Sequence, residues 1–383
     1  MPPGHRHLAL LLAVLTTLVA AASAVAAQPP TAVVTMGDSY ISGEGGRWLG
    51  NSPNNAGSRD GTDRACVFTG PLCTAYDESR VYVDGTDVDG CHRSDVAEVR
   101  SAQLPVDGRI NIACSGAISS DLYRSADGGT TRHGEPPQAD QLLPIAKAND
   151  IRMIAVSVGG NDLGFASIVS ACFTAYLTHS APCSETEAYR ISDDALAAAQ
   201  AKVEKAIDEI RSTMREAGYA DDGYRLVLQT YPSVMPRAAD ARYAEADPQR
   251  TVYGCPFYDA DMTWGHDVAA PRIGSMVKAA AVSRGAEVLE LIDAFDGHEF
   301  CAKTDAPASP LTPPSPTGSE WGRALSASTI SQGETQEVFH PDAYGQMALG
   351  DCLAAVFAAT PGNSTCSGGP GRAPQDMTLT ANP

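Results

Sequence analysis

Five short, nearly continuous apolar runs punctuate the chain and predict strands buried on both faces. They are Ala32–Met36, Arg109–Ala113, Met153–Val158, Arg225–Gln229 and Glu287–Leu291. Between the third and fourth, Leu196, Ala199, Val203, Ala206, Ile207, Ile210 and Met214 recur at helical spacing, with Glu and Lys on the opposite face. Ser192 ahead of Asp193-Asp194 predicts the cap of this helix and Gly218 its stop. Further helices are expected over Val268–Ser283 and Tyr344–Phe357. No repeat of solenoid or propeller period interrupts the alternation. Strands joined by helical crossovers predict a three-layer α/β/α sandwich around a central five-stranded parallel sheet. Such sheets bind ligands beyond the carboxyl ends of their strands. The residues that follow each run are therefore where chemistry is expected.

The remaining segments set the context. Residues 1–27 carry a short basic stretch, an apolar run from Leu8 to about Val19, and Ala24-Val25-Ala26-Ala27 before Gln28. That order is the layout of a secretory signal. An uncleaved anchor is the rival, and the small residues at the end favour cleavage. Residues 28–366 are expected to form one domain and 367–383, rich in Gly and Pro, to fray as a flexible tail. Residues 43–75 and 306–318 read as surface insertions; the first, with Trp48 and Leu49, reads equally as a border of the substrate pocket or as a disulfide-tied surface loop with no part in specificity. Ten cysteines in an exported chain point to disulfides. Their spacing suggests Cys66–Cys73, Cys91–Cys114, Cys172–Cys183, Cys255–Cys301 and Cys352–Cys366, although sequence alone does not fix connectivity. A zinc site lacks support, because no CxxC is present and only Cys91-His92 sets two soft ligands side by side. A net charge of −19 argues against nucleic acid and against tight docking on anionic lipid. The expectation is a secreted monomer that needs no metal or organic cofactor and does not insert in the membrane.

Four clusters at strand ends and near the carboxyl terminus offer chemistry. The first run ends in Gly37-Asp38-Ser39, a turn that exposes a serine. The second ends in Cys114-Ser115-Gly116-Ala117 and the third in Gly159-Gly160-Asn161-Asp162. Both bring backbone N–H donors to the same sheet edge, and Asn161 adds a side-chain amide, the donor set of an oxyanion hole. His340, before Pro341, is a base suited to taking a serine proton near neutral pH. Glu337, three residues earlier, is a candidate to hold its Nδ1. Taken singly each cluster is weak, since all read equally well as ordinary turns.

Taken together and in order, these blocks resemble the SGNH (GDSL) hydrolases. Val34-Thr35-Met36-Gly37-Asp38-Ser39-Tyr40 with Ser42-Gly43-Glu44-Gly45, then Cys114–Ala117, Val158–Asp162 and Phe339–Gln346 carry the likeness. It extends from Ala32 to about Leu353, and Gly90-Cys91-His92-Arg93-Ser94 is similar to secreted actinobacterial members. The resemblance implies a flavodoxin-like sandwich and a serine ester hydrolase working through an acyl-enzyme. It implies Ser39 as nucleophile, His340 as base, and the Ser39 and Gly116 N–H groups with the Asn161 amide as oxyanion donors. The family usually has Asp three residues before the histidine. Here the position holds Glu337, and some relatives use a backbone carbonyl instead. Substrates implied are lipid or short-chain acyl esters, with polysaccharide O-acetyl groups as the alternative. A non-catalytic surface-binding protein or a flavodoxin-like phosphate binder on the same fold are the rivals from other classes. The first would be favoured by loss of Ser39, Asn161 or His340, and the second by more positive potential than this chain carries.

Overall fold

The computed structural model describes residues 1, 28–51, 66–70, 72–308, 312–325 and 335–382. The expected signal lies outside the described residues. The strands are β1 Thr31–Gly37, β2 Cys66–Thr69, β3 Leu72–Tyr76, β4 Gly108–Asn111, β5 Asp150–Ser157, β6 Arg225–Gln229, β7 Glu287–Glu290, β8 Ser364–Ser367 and β9 Thr378–Ala381. The helices used below are α1 Ser39–Ser42, α2 Gln138–Ala148, α3 Phe165–Leu177, α4 Asp193–Glu216, α5 Ala270–Ser283 and α6 Ala343–Ala358. β2 and β3 form a separate antiparallel hairpin.

The main sheet runs β4-β1-β5-β6-β7-β8-β9, parallel throughout except for β9. Its first five members are the five runs read from sequence. Val33, Val34, Met36, Ile151, Met153 and Ile154 are wholly buried, as strands covered on both faces require. Each such side chain contributes ~1.5–3 kcal/mol by leaving water. α2, α4 and α5 pack together as one outer layer, while α6 packs on the short Glu98–Ser101 turn in the other. α4 follows its apolar stripe, with the Ser192 side chain accepting from the Ala195 N–H at 3.4 Å.

Three expectations need correction. The sheet has seven strands rather than five, because the chain after α6 adds β8 and β9. The tail that was expected to fray thus supplies the edge strand β9, whose Thr380 pairs with Thr365 of β8, itself tied to α6 by Cys352–Cys366. These strands are only four residues long and mostly polar, so no apolar run announces them. The helix expected from Val268 begins earlier, because Asp259–Trp264 runs into α5 through a π-helical turn at Gly265–Ala269. Disulfides form at Cys91–Cys114, Cys172–Cys183, Cys255–Cys301 and Cys352–Cys366. The Cys66–Cys73 pair falls outside the described side chains.

β1 pairs with β4 on one side and β5 on the other, so the chain leaves it in opposite directions. The crevice at that switch point lies beyond the carboxyl ends of β1 and β5. The strands meet closely there. A Cβ on Gly37, whose φ is +128°, would stand 1.9 Å from the Ser157 carbonyl oxygen. The Gln138 side chain clamps the same residue, accepting its N–H at 2.7 Å and donating to its carbonyl at 2.8 Å. Ser39 is two residues further on.

Behind the site, Glu98 is buried and accepts from the Gln229 amide at 2.7 Å. Burial pushes its carboxyl up to about 8, against the lowering effect of that hydrogen bond. Between the ordinary carboxylate range and pH 8 the unfolded chain ionises this group and the folded protein does not, so stability is lost as pH rises. Glu98→Gln keeps an acceptor for Gln229 and removes the loss. Thermal melts should show the variant gaining several degrees over wild type at pH 8 and almost nothing at pH 4. An equal gain at both pH values would contradict the assignment.

Candidate active site

Ser39 opens α1. The Asp38 side chain caps that helix by accepting from the Tyr40 N–H at 3.2 Å, and Gly43 closes it in the left-handed region. As a first-turn residue, Ser39 has an N–H with no acceptor inside the helix. Its Oγ lies 2.7 Å from Nε2 of His340, a contact across 301 residues of chain. Asp38 also accepts from the Tyr231 hydroxyl at 2.5 Å, and that hydroxyl accepts in turn from the Gly160 N–H at 3.0 Å. Burial pushes the Asp38 carboxyl up to about 7, against the lowering pull of Tyr231 and the Tyr40 N–H. Asp38 therefore shapes the turn and links it to the third strand end.

The oxyanion candidates converge on the same place. Cys114 donates to the Gly37 carbonyl at 3.0 Å, and Ala117 donates back to Cys114 at 3.1 Å. That closes a tight turn with Gly116 at its third position, where φ is +72°, as a type II turn requires. Cys91–Cys114 and the Ser115 N–H bond to the Cys91 carbonyl hold the turn from behind. The Asn161 amide donates to the Ala117 carbonyl at 3.0 Å, which orients it and leaves its second hydrogen available. Asp162 ties the two loops together by accepting from the N–H and hydroxyl of Ser119 at 2.9 and 2.7 Å.

His340 sits on a loop held from three sides. The Tyr40 hydroxyl donates to the Phe339 carbonyl at 2.6 Å. Backbone bonds from Phe339 to Arg323 and from Arg323 to His340, at 2.9 and 2.8 Å, zip the loop to residues 321–323. Asp342 caps α6 through the Tyr344 and Gly345 N–H groups at 2.8 and 3.0 Å and also accepts from Gly50 at 2.9 Å. Burial drives its carboxyl up to about 8, against these three donors.

Glu337 does not hold His340. Its Oε2 accepts from the Trp48 indole N–H at 2.6 Å and lies 3.9 Å from Nε of Arg323. Nδ1 of His340 is buried with no hydrogen-bond partner among the described residues. A spacing of three places the two residues near each other, but the Glu337 carboxylate, at the end of a 3-10 turn over Thr335–Glu337, is taken by Trp48. Trp48 is likewise not a pocket residue. It is wholly buried under the Arg323 guanidinium, which stacks 3.6 Å from its ring centre.

Ser39, Gly116, Asn161 and His340 open onto a cavity of about 610 Å³. Its walls are apolar, with Phe165, Val169 and Phe173 from α3, Trp264 and Ile273 from the helix through the π turn, and Phe257 between them. The sequence reading missed these residues, along with Tyr231 and the Tyr40–Phe339 bond. The apolar stretch after Gly-Gly-Asn-Asp (Phe165, Ile168, Val169, Phe173) was the available signal for the wall.

The architecture is that of an α/β sandwich with a serine and a histidine in contact at the switch point. Among solved structures it shares its fold with the extracellular lipase of Streptomyces rimosus, at 19% identity and a TM-score of 0.51, over 86% of this chain and 100% of that one. Phospholipase A1 from Streptomyces albidoflavus NA297 aligns over the same shares at 19% identity and a TM-score of 0.49. No protein-family model and no curated protein matches the chain.

Because Glu337 bonds to Trp48, Glu337→Gln should keep kcat within about threefold of wild type while lowering the melting temperature. A triad acid stripped of its charge costs about 10⁴ in kcat. Steady-state kinetics on an ester substrate separates the two, and a loss of that size would restore Glu337 to the catalytic group.

Proposed function

We propose that this chain is an exported serine ester hydrolase of the SGNH type that cleaves esters of an apolar acyl chain. The observation that carries the reading is the 2.7 Å contact between Ser39 Oγ and His340 Nε2 at the mouth of the apolar cavity. In this reading Ser39 attacks the ester carbonyl while His340 takes its proton. The Ser39 and Gly116 N–H groups and the free hydrogen of the Asn161 amide meet the oxyanion. His340 returns the proton to the leaving alcohol, and water then releases the acyl group by the same steps.

The cavity supports a lipid or longer acyl ester over an O-acetyl group, because an acetyl would leave most of 610 Å³ unfilled. The fold shared with the S. rimosus lipase supports the same class. Four disulfides support export. Among the described residues no helix is long and apolar enough to cross a membrane.

A chain-length series of p-nitrophenyl esters tests this. Wild type should favour medium or long acyl chains over acetate in kcat/KM, and Ser39→Ala should abolish turnover at every length. Asn161→Ala should lower kcat by ~100- to 1,000-fold, the usual cost of one oxyanion donor. Preference for acetate, with activity on acetylated polysaccharide, would refute the lipid assignment while keeping the nucleophile.

A further inference from the structure

Two sequence segments outside the proposed machinery meet in the structure. Glu44, from Ser42-Gly43-Glu44-Gly45, accepts from Nδ1 of His92, from Gly90-Cys91-His92-Arg93-Ser94, at 3.0 Å. Its other oxygen accepts from the Ser115 hydroxyl. The His92 ring is fixed by stacking on Tyr82, with centroids 4.5 Å apart and planes 14° apart. Glu44 is wholly buried, yet it lines the cavity beside Ser39, Ser115, Gly116 and His340. The next residue, Gly45, lies against the base: a Cβ there would stand 3.4 Å from the His340 Cβ. A buried carboxylate is thus built into the rim of the site, while the expected one at Glu337 faces Trp48.

We propose that Glu44 is the positioning carboxylate of this site, the fixed negative charge that stabilises His340 when its ring takes the Ser39 proton. The inference rests on the ester-hydrolase reading and deepens it. As the Ser39 oxygen bonds to the carbonyl carbon, its proton moves to His340 Nε2 and the carbonyl π pair moves onto the oxygen. Glu44 accepts no proton. It acts through space, from a buried position on the wall of the cavity that His340 also lines. Burial on its own would raise its carboxyl, but the His92 hydrogen bond, the charges of His340 and His92, and the Ser115 hydroxyl together hold it below the usual carboxylate range. It therefore stays ionised where a serine hydrolase works. Among the described residues, the other charged groups close to His340 have partners of their own: Glu337 bonds Trp48, Arg323 stacks on Trp48, Asp38 caps α1 and bonds Tyr231, and Asp342 caps α6.

The test is Glu44→Gln in the mature protein, with Glu337→Gln as control. The introduced amide retains an acceptor for Ser115, and its N–H can bond His92 once the ring takes the tautomer with a bare Nδ1, so the melt should stay close to that of wild type. The ring resonances of His340, followed by proton NMR and assigned by their absence in His340→Ala, should titrate at lower pH than in wild type, as removal of a nearby opposite charge requires. The acid limb of the kcat/KM profile should move with it. kcat should fall about tenfold with KM unchanged, and Glu44→Asp should restore most of the loss. Glu44→Met provides a second uncharged variant should the amide not fold. A His340 titration identical to wild type in either folded, uncharged variant overturns the proposal, as does a Glu337→Gln control that shifts equally. If wild type hydrolyses no ester, the NMR titration still decides the role of Glu44, so the two readings fail separately.

Discussion

A hydrogen bond of 2.6 Å from the Tyr40 hydroxyl to the Phe339 carbonyl ties the residue after Ser39 to the residue before His340. The Ser39–His340 contact across the chain depends on that tie and on what supports it. Phe339 is held at φ +69°, a conformation that costs a non-glycine residue ~1–3 kcal/mol. The surroundings hold it there. Its N–H donates to Arg323, and its ring is packed edge-on against Phe165, Phe257 and Phe300. Gln346 reinforces the same junction, donating to the Tyr40 carbonyl at 3.0 Å and accepting from the Glu98 N–H at 2.8 Å. The aromatic cluster that fixes the His340 loop also forms part of the cavity wall, so pocket shape and the Ser39–His340 geometry are coupled.

The site is dense in acids, and burial affects them differently according to their partners. Asp38 and Asp342 bond mostly to neutral donors, and desolvation wins, raising both carboxyls. Glu44 faces two histidines and a hydroxyl, and their attraction wins over the same desolvation. The first two carboxylates build turns and helix starts. The third stays ionised on the cavity wall that His340 also lines. This division of labour explains why an acidic chain can concentrate several carboxylates near one serine without their competing for its partner.

The buried strands and the serine were legible because a central parallel strand must be apolar along its whole length and must end in a residue that permits a tight approach. Val33–Met36 followed by Gly37 meets both conditions. The helix over Asp193–Glu216 was legible because its apolar stripe is unbroken and its cap is explicit. Glu337 was misread, since spacing fixes where a backbone passes and not which way a side chain leaves it. Trp48 was misread for a related reason: a large aromatic in a polar segment suggested a substrate wall, whereas its N–H found a buried carboxylate. Glu44–His92 and Asp38–Tyr231 are contacts between distant segments that no local periodicity encodes. β8 and β9 were missed because short edge strands need few apolar residues.

The proposed function stands on Ser39 as a nucleophile activated by His340 at the mouth of an acyl cavity. It is tested most directly by trapping with an alkyl p-nitrophenyl phosphonate and mapping the adduct by mass spectrometry. One adduct per chain is expected, on the peptide that contains Ser39, formed far more slowly in His340→Ala. A stable folded protein that takes up no phosphonate, or takes it up at another residue, would contradict it.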